Sequence, residues 1–150
     1  MTSFIGVKPG AITGIAVCYV LDAEDEDAYC INAYQCNSQA APGLIRNLIL
    51  PGTAEFGNGI HIQFERYDPP KRQFDWNYTA ASLVREFIEE AARPYDANIY
   101  DANAGEVQGQ DKRLKQLGFP MRVGIQATRA GRHMLSIAMR EGAIPGLISM

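Results

Sequence analysis

The stretch that decides the fold of this chain lies near its start and reads Phe4-Ile5-Gly6-Val7-Lys8-Pro9-Gly10-Ala11-Ile12-Thr13-Gly14-Ile15-Ala16-Val17. Its pattern predicts a strand, a tight turn at Pro9-Gly10 and a second strand. Thr13 is expected to satisfy the backbone of that turn. Lys8 falls at the tip of the first strand, where α/β proteins present chemistry. A cation there indicates something other than the metal site that such a tip often carries.

The composition is that of an ordinary globular protein. The 150 residues are 47% hydrophobic and 21% charged, which predicts one domain over 1–150. The net charge of −3 gives no overall attraction to nucleic acid, so such binding needs a local basic patch. We expect no membrane span and no signal peptide, and the three cysteines, which lack CxxC spacing, indicate reduced thiols. These features predict a cytoplasmic protein.

The spacing of apolar residues along the rest of the chain predicts alternating strands and helices. The expected order is three hairpin-connected strands, then helix, strand, helix, strand and two helices. Asn77 or Thr79 is expected to cap the long central helix, and Thr128 the last one. The expected strands cover 4–7, 15–21, 28–35, 60–66 and 97–100, and the expected helices cover 42–50, a segment ending near 92, 111–117 and 128–141.

The opening turn, Gly6 to Gly14, resembles the G-[IV]-D-P-G-x-x-x-T-G first strand of RuvC-type Holliday-junction resolvases, which include small bacteriophage forms; it is one residue shorter. Glu65-Arg66-Tyr67 is similar to the glutamate motif of that family's fourth strand. The segment 126–135 is similar to the H-A-x-D-A-x-R-H-A-L last helix of the phage-type members. The resemblance implies an RNase H-like α/β fold: a five-stranded mixed sheet, with three antiparallel N-terminal strands and two parallel additions, flanked by helices.

The departures from the family pattern concern its metal site. In the family, acidic residues at the strand tips hold divalent ions that activate water. Carried onto this chain, the motifs put Lys8, Gln126 and Arg129 at such positions, and only Glu65 remains acidic. The resemblance implies that Lys8, Glu65 and Arg129 lie together as a hydrogen-bonded ion cluster, with both cations in reach of the carboxylate. Two cations there would repel Mg²⁺, so we expect no metal and no two-metal hydrolysis.

The sequence also leaves open that Glu65 binds a metal ion together with a second carboxylate. Asp101, at the end of the fifth strand, or Glu106 could join Glu65 and hold Mg²⁺ or Mn²⁺. Sliding the last-helix motif onto His133-Met134-Leu135-Ser136 supplies no carboxylate. His61 lies about 13 Å from Glu65 along its strand and cannot share one metal ion with it. We interpret His61 and His133 as structural.

The best candidate for a nucleic-acid surface is the segment 66–78, in which aromatic and basic residues interleave. Its alternative interpretation is a helix-entry loop packed on the core. In that case Trp76 and Tyr78 are expected to anchor the loop to the core. Basic residues of the predicted helix 111–117 are expected to extend the DNA-binding surface. The predicted DNA contacts are Arg66, Lys71, Arg72, Phe74, Lys112 and Arg113.

Three functions follow from these observations. The first is a non-catalytic RuvC-like protein that binds branched or structured DNA, as a possible homodimer through the apolar helix 83–91, in a bacterial or phage-infected cell. The second is an RNase H-like scaffold for a protein partner, which the acidic net charge favours. The third is a divalent-metal-dependent DNA endonuclease that uses Glu65 and Asp101. Fold alone does not decide among them.

Overall fold

The computed structural model describes residues 2–20, 29–51, 59–66 and 76–141. A five-stranded mixed sheet has the order β3-β2-β1-β4-β5. The strands β1, β2 and β3 pair antiparallel, whereas β4 pairs parallel to β1 and β5 pairs parallel to β4, as the sequence predicts. The strands are β1 (Thr2–Lys8), β2 (Ile12–Val20), β3 (Tyr29–Asn37), β4 (Ile60–Glu65) and β5 (Asn98–Ala102).

Helices cover both faces of this sheet. The first of them continues into a widened π turn at Ile45–Ile49, and short 3₁₀ turns lie at Arg93–Tyr95, Ala104–Val107 and Met121–Val123. The α-helices are α1 (Ala41–Leu44), α2 (Trp76–Ala92), α3 (Asp111–Gln116) and α4 (Ile125–Arg140). None of the helices in the described part of the chain has the length and apolar character that a bilayer crossing requires.

The central strands are apolar on both faces because each face supports its own core. One core joins the sheet to α1, its π turn and α2, and includes Ile5, Val7, Ile62, Phe64, Val84 and Ile88. The other joins the sheet to α4 and includes Phe4, Ala16, Cys18, Ala130, Met134 and Leu135. Successive residues of a strand point alternately into the two cores. The position of a polar residue in its strand therefore determines on which face of the sheet it lies.

The turn between β1 and β2 has the internal bonds that its sequence predicts. The Thr13 hydroxyl donates to the Gly10 carbonyl at 2.9 Å and accepts from the Gly10 N–H at 3.3 Å. The Asn77 side chain, in the first turn of α2, accepts from the Ala11 N–H at 2.9 Å. The turn is therefore tied to α2 as well as to itself.

Two glycines let α4 lie almost directly on the sheet. A Cβ at Gly6 would stand 1.9 Å from the carbonyl oxygen of Ala130, and a Cβ at Gly14 would stand 1.9 Å from that of Gln126. Both obstacles are helix backbone, which cannot rotate away as a side chain can. This close approach places α4 across β1 and β2.

The expected helix caps are wrong. The helix α4 begins at Ile125, and the Thr128 hydroxyl lies within it and donates to the Gly124 carbonyl at 3.1 Å. The side chain of Gln35, from β3, instead accepts from the N–H groups of Gln126 and Ala127 at 3.0 and 3.3 Å. A tertiary contact thus performs the capping that the sequence pattern assigns to a local residue.

The cap at the start of α2 was also expected at the wrong place. Trp76 is already helical, so Asn77 and Thr79 both lie inside the first turn rather than before it. The Asn77 side chain is used across the molecule, on the β1–β2 turn. Residues 21 and 28, at the ends of the expected second and third strands, lie outside the described residues.

Gly6→Ala and Gly14→Ala should each lower the free energy of unfolding by about 1–3 kcal/mol or more, because α4 must move off the sheet. Gly43→Ala, in α1, is the matched control, since its new Cβ would meet only the Asn47 side-chain nitrogen at 3.9 Å. That control should stabilise the protein by roughly 0.5–1 kcal/mol. Urea unfolding measures all three, and equal stabilities for the three variants would contradict the close packing described.

Candidate functional site

The strand ends at one edge of the sheet bring the predicted site residues together. Lys8 ends β1 and Glu65 ends β4, and these two parallel strands are neighbours in register, with Val7 beside Phe64. Parallel neighbours end at the same edge, so the two side chains lie on adjacent strand tips. The helix α4 crosses this edge and adds Arg129 and His133, one turn apart on the same helix face.

Glu65 is the centre of this cluster, and its carboxylate is 5% exposed. Arg129 holds it with two groups: Nη2 lies 2.5 Å from Oε2, and Nε lies 3.4 Å from Oε1. His133 approaches Oε1 with Nε2 at 3.3 Å. A bidentate guanidinium and a ring nitrogen therefore occupy both carboxylate oxygens.

His133 is fully buried and continues the chain of bonds inward. Its Nδ1 lies 2.9 Å from Nε2 of Gln63. With the Gln63 amide donating, Nδ1 of His133 is the acceptor and its Nε2–H donates to Glu65. The structural role inferred for His133 from sequence is thus too narrow, because this residue binds the site carboxylate.

Two spacings could have identified this inner chain. His133 is four residues after Arg129 on a helix, and Gln63 is two residues before Glu65 on a strand. Each spacing returns a side chain to the same face as the predicted site residue. His61, the other histidine, is remote: it stacks between the rings of Phe4 and Tyr100.

The pKa of the Glu65 carboxyl is lowered in the folded protein. Burial is the largest influence and by itself raises this pKa. The hydrogen bond from His133 and the charge and hydrogen bond of Arg129 together outweigh burial. Glu65 therefore remains an anion in a nearly dry position because its partners stabilise the charged form.

Lys8 is buried beside this pair, with 6% of its surface exposed. Among the described residues, no carboxylate oxygen lies within 4.0 Å of its ammonium. The pKa of Lys8 is lowered, first by burial and then by the charge of Arg129, while Glu65 opposes this shift. The expected hydrogen bond from Lys8 to Glu65 is thus wrong, and Lys8 interacts with Glu65 through its charge alone.

Gln126, at the position of a family ligand, does not contact Glu65 through any hydrogen bond among the described residues. Its backbone N–H is bound by Gln35, and its side-chain Oε1 is buried without a hydrogen-bond partner in that part of the chain. The structure therefore brings Lys8, Glu65 and Arg129 together and leaves Gln126 at the start of the same helix.

Asp101 cannot share a metal ion with Glu65. In the register of β4 and β5, Asp101 lies beside Phe64, and Ala102 lies beside Glu65. Adjacent strand residues face opposite sides, and Asp101 lies on the side of α2, where Arg85 binds both of its carboxylate oxygens. The pairing of Asp101 with Glu65 expected under the nuclease alternative is thus wrong in its geometry.

Glu106, the other carboxylate considered, is also committed elsewhere. Its Oε2 accepts from the Asn103 N–H at 3.2 Å, and its own N–H donates to the Asn103 side chain at 3.0 Å. These reciprocal bonds form a capping box at the start of a 3₁₀ turn. Its carboxylate therefore has a local structural role.

The residues at the strand tips do not fit a divalent metal. Over 2–20, 29–51, 59–66 and 76–141, no three His, Cys, Asp or Glu side chains are grouped closely enough to hold an ion. Glu65, the carboxylate that the structure describes at the tips, already binds Arg129 and His133, and Lys8 adds a further positive charge nearby. Mg²⁺ requires oxygen ligands and would meet cations here.

The predicted DNA-contact residues occupy several places. Arg66 is exposed and follows β4 directly, beside Glu65. Lys112 is exposed on α3, and Arg113 on the same helix reaches the Met139 sulfur at 3.5 Å. Lys71, Arg72 and Phe74 lie outside the described residues.

The expected anchoring of the 66–78 segment by its last aromatics is wrong for Trp76. This side chain is 61% exposed, and Tyr78 is also exposed. Trp76 instead forms part of an apolar groove described below. The aromatic ring is therefore presented to the surface rather than packed inside.

Arg129→Met should destabilise the protein most at neutral pH. The pKa of Glu65 lies below its ordinary 4.5 in the folded state, so its contribution is present above 4.5 and is lost as pH falls through the folded value. Removing Arg129 leaves a buried carboxylate underpaired, at a cost of about 1–3 kcal/mol. The difference from the parent protein should shrink as acid protonates Glu65.

Arg132→Met is the matched control on the same helix. Its partner Asp111 is 46% exposed, so this pair should contribute only about 0.2–1 kcal/mol. Urea unfolding at pH 7 and at pH values below 4 gives both differences. Equal losses for the two variants at neutral pH, or a loss for Arg129→Met that does not change with pH, would count against the buried pair.

Comparison with known proteins identifies the fold that carries this cluster. No protein-family model matches the chain, and no curated protein matches it. Two solved structures of RuvC from Thermus thermophilus are similar. One, in complex with a Holliday junction substrate, has 12% identity and a TM-score of 0.61, and the match covers 95% of this chain and 98% of that one.

The second Thermus thermophilus RuvC structure agrees with the first. It has 15% identity and a TM-score of 0.57, and the match covers 94% of this chain and 97% of that one. At such low identity the likeness concerns the fold, and it extends over nearly all of both chains. This protein therefore has the RNase H-like fold of the RuvC type.

Proposed function

We propose that this protein is a non-catalytic relative of RuvC-type resolvases that binds branched or structured DNA without cleaving it. The observation that carries the proposal is the state of Glu65, whose two carboxylate oxygens are occupied by Arg129 and His133. The carboxylate that a metal-dependent nuclease would use as a ligand is here an internal counterion. We place the activity in the cytoplasm of a bacterium or of a phage-infected cell.

The fold and the charge at the strand tips support DNA as the ligand. A protein of the same fold, Thermus thermophilus RuvC, has been seen with a Holliday junction substrate. At the strand tips of this sheet, Lys8, Arg66 and Arg129 lie near the carboxylate of Glu65. Binding of DNA depends mainly on such cations, because they neutralise backbone phosphates. Because the net charge of the whole chain is −3, binding of DNA depends on this local excess of positive charge.

The proposed function requires no cofactor. The third function, a nuclease using Glu65 with Asp101 and Mg²⁺ or Mn²⁺, needs two carboxylates that converge on one ion. These two lie on opposite faces of the sheet, and each binds an arginine. We therefore favour binding over hydrolysis.

A second candidate function is that of a scaffold for a protein partner or a second copy of the chain. An apolar groove of about 180 Å³ lies between α1 and α2. Trp76, Leu83 and Phe87 line it and are exposed, and these residues recur along one side of α2. Exposed apolar residues grouped in this way are typical of protein–protein contacts. This groove is the basis of the proposed homodimer.

Binding to a four-way DNA junction, measured by fluorescence anisotropy, discriminates between the two functions. If the protein binds DNA through phosphates, its affinity should fall at least ~10-fold between about 50 and 200 mM salt. Lys71→Glu/Arg72→Glu should abolish this binding. Arg46→Glu/Arg93→Glu, an equal charge change at two exposed positions outside the tip cluster, should have a small effect. Absent or salt-independent binding would favour the scaffold.

The loss of the metal site can be tested by restoring it. Lys8→Asp/Arg129→Asp should gain Mn²⁺ binding, seen as a rise in Tm with Mn²⁺, because three carboxylates would then meet at the strand tips. The parent protein should show no rise, and adding Glu65→Gln to the double variant should remove the gain. Mn²⁺-dependent cleavage of a junction by the parent protein, abolished by Glu65→Gln, would refute the non-catalytic proposal.

A further inference from the structure

A cavity of about 200 Å³ opens between the strand tips and the first turns of α2. A water molecule occupies about 30 Å³ of liquid, so this volume accommodates several waters or a small polyatomic ion. Most of the polar side chains that the structure describes in its wall are hydrogen-bond donors. The described lining residues are Pro9, Glu65, Arg66, Tyr78, Ala81, Ser82 and Arg85.

Two hydrogen-bond donors in the cavity wall, Arg66 and Ser82, are exposed to solvent. Arg66 is exposed, and among the described residues no carboxylate oxygen lies within 4.0 Å of its guanidinium. Ser82 is exposed on α2. Arg85 adds a positive charge to the wall, although its own hydrogen bonds go to Glu89 and Asp101.

The acidic residue in the wall does not cancel this character. Both oxygens of Glu65 accept hydrogen bonds from Arg129 and His133, so its charge is compensated from the α4 side. A second cation, Lys8, lies behind the same wall, next to Pro9 in the chain. Among the residues that the structure describes at this end of the sheet, Lys8, Arg66 and Arg129 therefore exceed the charge that Glu65 neutralises.

Lys8 is the residue whose presence the fold alone does not account for. Lys8 is 6% exposed, so most of this residue is removed from water. No carboxylate of the described residues lies within 4.0 Å to compensate, and Arg129 repels it. A methionine of similar length would fill the same space without that cost. A charge kept at a cost to stability is typical of a functional site.

We propose that this cavity binds one phosphate group, with Arg66 and Ser82 as direct donors and with Lys8 and Arg129 supplying compensating charge. The proposal rests on the proposed function, under which the phosphate belongs to a DNA backbone. A free phosphate or a phosphorylated small molecule has the same chemistry. In each case, protein cations hold the phosphate without a bridging metal ion.

The experiment measures saturable binding of inorganic phosphate to the full chain by NMR chemical-shift titration, and binding of the four-way junction by anisotropy. Arg66→Gln should weaken phosphate binding at least ~5-fold, as expected for the loss of a charge-assisted hydrogen bond. Arg93→Gln, an exposed arginine at the far end of α2, is the matched control and should leave the affinity unchanged. No saturable binding by the parent protein, or equal effects of the two variants, would overturn the proposal.

Lys8→Met separates a functional cation from a structural one. This variant should bind phosphate at least ~5-fold more weakly and yet unfold at a higher urea concentration than the parent protein. Unchanged phosphate affinity together with lower stability would show that Lys8 serves the fold, and would overturn its role in the cavity. Because binding and stability are expected to move in opposite directions, loss of folding cannot imitate the expected result.

The two measurements also distinguish the sources of the phosphate. If Arg66→Gln weakens both phosphate and junction binding, the cavity holds a backbone phosphate. If phosphate binding depends on Arg66 but the parent protein does not bind the junction, the cavity serves a free phosphate ligand and the DNA-binding function fails alone. If the junction is bound but phosphate is not, the cavity proposal fails and the proposed function stands.

Discussion

The close approach of α4 to the sheet is the constraint on which the rest of the structure depends. Gly6 and Gly14 leave no space between the strands and the backbone of that helix. At this distance, side chains one turn apart on the helix reach the tip of β4 directly. Arg129 and His133 therefore meet Glu65 without any intervening residue or ion.

This geometry also explains how one buried carboxylate is tolerated. The polar chain of Gln63, His133, Glu65 and Arg129 runs from the sheet interior to the surface, and each member binds the next. Such a chain satisfies every buried group that it contains, which is the condition under which polar groups stabilise a core. Lys8 stands beside the chain without belonging to it. The cluster therefore has a well-bonded anion at its centre and an excess of positive charge at its border.

Much of this arrangement can be predicted from sequence, because strand and helix periods fix which residues share a face. The strand order and the meeting of Lys8, Glu65 and Arg129 follow from the opening turn and from the resemblance of the last helix. Residues whose partners are set by tertiary contacts cannot be found in this way. Gln35 caps α4 from another element, and Asp101 faces α2 because of its register with Phe64. Local sequence contains neither relation. His133 and Gln63 lie between these two groups. Their spacing from Arg129 and Glu65 can be read from the sequence, whereas their burial cannot.

The cap on α4 links the outer edge of the sheet to the strand tips. Gln35 belongs to β3, the edge strand, and its side chain holds the first N–H groups of the helix that contains Arg129. A displacement at the end of that edge strand would move the first turn of α4, and with it the guanidinium on Glu65. The edge of the sheet and the charged cluster are thus connected through the first turn of α4, next to the point where Gly14 meets the helix. A molecule that contacts the edge strand β3 would therefore be in a position to affect the ion pair between Arg129 and Glu65.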